Sequence, residues 1–125
     1  MANLYESTIN SPDNLIAGPS DVIAIAGVVV SGEGILGRGS VLGKITASGK
    51  YDLVVSDGTD DGSRTAAAIL AQDIDATNDD VTCAVFITGE FNENALTFGG
   101  TDDADTHRAT LQSLGMILRP SVEVN

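Results

Sequence analysis

The sequence predicts a small, mostly-β domain with one short helix near its C-terminus and an arm at its N-terminus. Three observations lead there. Apolar residues come in short runs, many of them β-branched, and mostly lack the three-and-four spacing of a helix face. Fourteen glycines among 125 residues punctuate those runs, crowding above all between positions 32 and 43, and such a density favours turns and close backbone approach over helix. Only residues 105–114 combine helical spacing with a candidate N-cap and a terminating glycine.

Residues 1–19 carry Pro12, Gly18 and Pro19 and scatter Leu4, Tyr5, Ile9, Leu15 and Ile16 among polar residues without a period. They read as a flexible arm, leaving 20–125 as a single domain. After Asp21, the run VIAIAGVVV (22–30) suits a strand covered on both faces, and Gly27 argues against a helix. Gly32, Gly34, Gly37, Gly39 and Gly43 then mark turns. Residues 41–47 and 50–55 flank Ser48-Gly49, a two-residue hairpin signal. In 66–74 the alanines permit helix, but a short apolar run between acidic loops is read as strand.

Residues 81–88 alternate, with Val81, Cys83, Val85 and Ile87 on one face and Thr82, Ala84, Phe86 and Thr88 on the other, so both faces are expected to be covered. Residues 95–98 make another short strand. Asp105 or Thr106 then caps a helix that Gly115 ends. On that helix His107, Leu111 and Leu114, at spacings of four and seven, share an apolar face expected against the core or another subunit. Residues 116–119 return as a strand stopped by Pro120.

Composition narrows the function. With 42% hydrophobic but only 4% aromatic residues and no Trp, Ala, Val, Ile and Leu must fill the core. Six basic against 18 acidic residues, net −12, repel phosphate, so nucleic acid is not an expected partner. Cys83 stands alone, which excludes an internal disulfide, and no Cys/His spacing suits zinc. The longest apolar run falls far short of the roughly 20 residues of a membrane helix, and no leader-like pattern follows Met1. The chain is therefore expected to be soluble and made in a cytoplasm, without membrane contact.

Several motifs imitate chemistry. Gly32-Glu33-Gly34-Ile35-Leu36-Gly37 matches G-x-G-x-x-G after an apolar strand, with Asp52 at the distance of a ribose-binding acid. That fingerprint needs a helix after its last glycine, and the glycine-rich residues 38–43 cannot sustain one. Residues 57–62 (DGTDDG) begin like a calcium loop, but Ala68 stands where a bidentate Glu is required. They read as an exposed turn. His107 is the single histidine and its apolar face suits a packed imidazole better than a general base. Cys83, mid-strand with no basic neighbour, reads as a buried inert thiol. No cofactor or metal is expected.

The segments VLGKITASGKYDLVVSDG (41–58), AAAILAQDIDAT (66–77), VFITGEFNENALTF (85–98) and HRATLQSLGMILR (107–119) resemble the lambda-type head decoration proteins of tailed phages. The resemblance covers about two thirds of the chain. It implies a β-clip-like fold, no enzymatic activity, and a homotrimer on the outer surface of the expanded phage head, synthesised in the host cytoplasm. Such a trimer would sit at three-fold and quasi-three-fold sites and clamp the major capsid protein against the pressure of packaged DNA. By the same resemblance residues 57–62 are a surface loop, and the arm orders on the capsid. Leu4, Tyr5, Glu6, Ser7, Thr8 and Ile9 are the expected capsid-binding residues, of fair β-propensity and suited to adding a strand to a capsid sheet edge. The stretch before Val41 is longer than the family pattern. Two other functions compete: a β-rich metal-dependent hydrolase using Asp57, Asp60 and Asp61, which metal titration would reveal, and a host-surface adhesin module, which host-cell binding would reveal.

Overall fold

The short β-branched runs do form strands. In the computed structural model, which describes residues 15–17 and 22–120, these are β1 (Ile23–Val29), β2 (Gly34–Leu36), β3 (Val41–Lys44), β4 (Tyr51–Leu53), β5 (Ala66–Leu70), β6 (Ile74–Ala76), β7 (Val81–Asn92) and β8 (Met116–Arg119). The helix α1 (Ala104–Ser113) lies between β7 and β8. Strands β1, β4, β3, β5 and β7 pair in that order, and β7 pairs back onto β1, closing a five-stranded barrel. Every contact in the ring is antiparallel except the short parallel one of β1 with β4 at Val29 and Tyr51. Beyond the ring, β8 runs parallel to the second half of β7, a pairing that requires a crossover, which α1 supplies. Strands β2 and β6 form a separate two-stranded sheet.

Small side chains fill the interior, as the scarcity of aromatics demands. One cluster joins Val41, Val54, Ala66, Ile69, Leu111 and Met116 around Phe86 and Phe91, whose rings lie 5.5 Å apart. A second joins Val29, Leu42, Ala68, Leu70, Ala76 and Val85 around Tyr51. The loop after β4 crosses close over β3 because position 43 has no side chain: a Cβ there would collide with the Ser63 carbonyl.

Several boundaries differ from the sequence-based expectation, each for a local reason. The first half of β1 is not covered on both faces, because β4 reaches only to Val29; Ile23 is 48% and Ile25 43% exposed. The hairpin of β3 and β4 has a loop longer than two residues, closed by Ile45 N–H to the Lys50 carbonyl and Gly49 N–H to the Ile45 carbonyl, both 2.8 Å. Ser-Gly offers a glycine only at its second position, where φ is +77°, and that suits the end of a longer loop. The strand expected over 66–74 is two strands, β5 and β6. Between them Asp73 accepts from the Arg38 N–H and Gln72 from the Ala84 N–H, each at 2.8 Å, so side chains replace the ladder there.

Around 95–98 the chain makes a 3-10 turn, Glu93–Ala95, capped by the Asn92 side chain, and retains a single bridge of Thr97 to Ser40. The helix N-cap is Asp103, not Asp105 or Thr106; Thr106 is its capping-box partner. At the N-terminus, Leu15–Ala17 belongs to the fold and not to an arm. Ala17 N–H donates to the Glu90 carbonyl and Asn92 N–H to the Leu15 carbonyl, at 2.8 and 2.7 Å, and Leu15 is a core residue only 2% exposed. Leu4, Tyr5, Glu6, Ser7, Thr8 and Ile9 lie outside the described residues.

Candidate functional site

The capping box at Asp103 sets the phase of α1, and that phase turns His107 inward. Its side chain is 4% exposed and stacks on Phe98, with centroids 5.6 Å apart and planes 9° from parallel. Its Nε2 lies 2.7 Å from Asp102 Oδ2. The same carboxylate accepts the Ser56 N–H and the Ser56 hydroxyl, each at 2.7 Å. Burial alone would raise the Asp102 pKa, but the hydrogen bonds from Ser56 and His107 outweigh it and hold the group below the usual carboxylate range. Ser, Asp and His are thus adjacent, but in an order unsuited to nucleophilic catalysis: the hydroxyl faces the carboxylate and not the imidazole that would have to take its proton. The arrangement straps the loop after β4 to α1. Leu111 is buried in the core, whereas Leu114 caps the helix C-terminus and is 47% exposed, so the expected apolar face divides between interior and surface.

The three aspartates of the acidic loop are not gathered into a ligand set. Asp61 Oδ1 accepts both the N–H and the hydroxyl of Ser63, at 3.0 and 2.5 Å, and these bonds hold its pKa low. Arg64 Nε donates to the Gly58 carbonyl at 2.8 Å, closing the turn on itself. Among the described residues no three His, Cys, Asp or Glu side chains are placed to hold a metal ion. Hydrolysis through Asp57, Asp60 and Asp61 therefore has no metal cage here. The G-x-G-x-x-G stretch leads into β2 and a turn, not a helix.

Asp52, weighed in the sequence as a ribose-binding acid and set aside with the incomplete fingerprint, lies on the strand expected over residues 50–55. On β4, opposite Gly43, it borders a hollow of about 320 Å³ lined also by Glu33, Val55, Thr59, Ser63 and Gly99. Its Oδ1 is buried without a hydrogen-bond partner, while Glu33 Oε1 accepts the neighbouring Leu53 N–H at 2.8 Å. Burial, followed by repulsion from Glu33 and Asp61, pushes its pKa up to about 6. The alternation of β4 was a usable signal, since a strand residue flanked by Tyr51 and Leu53 faces the opposite side from both.

The remaining feature is a surface. The first half of β1 and the start of β7 form a ribbon whose hollow, about 370 Å³, is lined by Ala24, Ile25, Ala26, Thr82, Cys83 and Ala84. Cys83 itself is buried, and burial raises its thiol pKa, the inert state expected of it. No helix among the described residues is long and apolar enough to cross a membrane.

Fold and surfaces together define a small β-barrel protein distinguished by exposed faces, an acidic loop rim and an uncharged ribbon. A family model described as bacteriophage lambda head decoration protein D matches residues 4–117. The chain belongs to that family of phage head decoration proteins. A search of curated proteins gives no match.

Proposed function

We propose that this protein is a capsid cement, binding the outer surface of the expanded phage head as a homotrimer at three-fold and quasi-three-fold sites and stabilising it against the pressure of packaged DNA. The observation that carries this reading is the family match, which spans residues 4–117 and so takes in nearly the whole chain. The strapped, small-cored barrel is consistent with a structural role without catalysis. The physical basis is mass action: a ligand that binds the intact lattice and not its ruptured form stabilises the lattice in proportion to its occupancy.

In this reading the major capsid protein is the partner, and Leu4, Tyr5, Glu6, Ser7, Thr8 and Ile9 contribute to the contact. The acidic loop 57–62 and the acidic residues flanking β6 point away from the trimer axis, since three chains of net charge −12 repel wherever those residues meet. Co-sedimentation of purified protein with decoration-free expanded heads tests the proposal. Saturable binding that raises the temperature at which heads release DNA is the expected result; protein left wholly in the supernatant would overturn it.

A further inference from the structure

The first half of β1 stands out from the barrel in a way that isolated domains avoid. Ile23, Ala24, Ile25 and Ala26 are all exposed, so both strand faces meet solvent. Among the described residues β1 pairs outward only at its far end, where Val29 opposes Tyr51 and Val30 N–H donates to the Tyr51 carbonyl. No strand among the described residues lies beside the outer backbone edge from Ile23 to Gly27. Soluble proteins protect such edges with charges, prolines or bulges directed outward. Here β1 has one register shift against β7, between Ile23 and Ala24, but residues 22–32 contain no Asp, Glu, Lys, Arg or His, and neither do residues 81–89 of the strand beside them.

That absence of charge identifies the occupant. On a chain of net charge −12, two copies repel at nearly every mutual approach, and an uncharged apolar ribbon is the surface where repulsion is least and burial gains most. A partner of opposite charge would instead be matched by the acidic loops. We propose that the β1–β7 ribbon is the surface through which copies of this chain associate, Ile23 and Ile25 of one copy packing against the hollow between Ala24, Ala26, Thr82 and Ala84 of the next. Such a contact joins two different patches, and repeated around an axis it closes as a ring. The inference rests on the trimer reading above and supplies its interface. Ala24 and Ala26, with almost no side chain, let the neighbouring backbone approach closely.

Sedimentation velocity across the micromolar range, together with head binding, tests it. Wild-type protein should sediment as three chains, and Ile23→Glu/Ile25→Glu as one, a threefold fall in mass with an unchanged far-ultraviolet spectrum. If the double variant does not fold, Ala26→Arg, at an exposed position, gives the same readout. A folded variant that stays at three chains would overturn the ribbon while leaving the trimer reading intact. Unchanged association with lost head binding would also overturn it and assign the ribbon to the capsid. Wild-type protein of one chain, both free and when cross-linked on heads, would overturn the trimer reading itself.

Discussion

His107 Nε2 lies 2.7 Å from Asp102 Oδ2, and both side chains are almost fully enclosed, so the contact acts as an internal fastening between α1 and the Ser56 loop. Removing Asp102 leaves the buried imidazole and the Ser56 donors unpaired, and removing His107 takes one of three hydrogen bonds from a buried carboxylate and empties the space against Phe98. His107→Ala is expected to cost about 3 kcal/mol, read as a lower urea midpoint. An unchanged midpoint would show that the strap contributes nothing.

Asp102 also sets an acid limit. Because its folded pKa lies below the ordinary value, its contribution is complete above the unfolded pKa of about 3.9 and disappears as pH falls through the lower folded value. Asp102→Asn should therefore lose stability at neutral pH and flatten the acid end of the stability profile. Parallel acid profiles for the two proteins would contradict this.

Asp52 has the opposite sign. With its pKa raised to about 6, the folded state binds more protons than the unfolded state between about 4 and 6, so stability falls as pH rises through that window and stays lower above it. The full shift of about two units would correspond to about 3 kcal/mol; solvent access to the carboxyl reduces this to about 1 kcal/mol. Asp52→Asn should thus stabilise the protein by about 1 kcal/mol at neutral pH and by less near pH 4, measured by urea unfolding at both values. Destabilisation at neutral pH would contradict the assignment.

Leu15 marks where the domain begins. Leu15→Ala is expected to cost about 2 to 4 kcal/mol, although sequence reasoning placed the residue in an arm. Deleting residues 2–12 should leave the melting temperature unchanged while weakening head binding at least tenfold, about 1.4 kcal/mol; deletion through residue 16 should lower the melting temperature as well. Equal melting temperatures for the two truncations would show that Leu15 is not part of the core.

These cases show what could be read in advance. The mostly-β class, the one helix and its glycine stop followed from local chemistry: β-branched runs, dense glycine, and Gly115 immediately after Leu114. Partner-dependent features did not. Whether β1 is covered depends on how far β4 extends, and Leu15 joins the core because β7 bonds to its backbone. The break after Leu70 depends on Arg38 and Ala84, remote in sequence. Asp102 was missed because a buried carboxylate inside TDDAD looks like one more solvated acid until Ser56 and His107 are placed beside it. Asp52 could be set aside as a nucleotide ligand because residues 38–43 cannot continue as a helix, but its burial depends on Glu33 and Ser63, which spacing does not place beside it.

Trimeric decoration of a phage head, as proposed above, is open to direct observation. A cryo-electron microscopy reconstruction of expanded heads, prepared without decoration protein and then saturated with this chain, tests that most directly. Added density is expected on the outer surface at three-fold and quasi-three-fold positions, three barrels per site, with Ile23 and Ile25 of each copy against the β1–β7 hollow of the next. Heads without added density, or density confined to other positions, would contradict it.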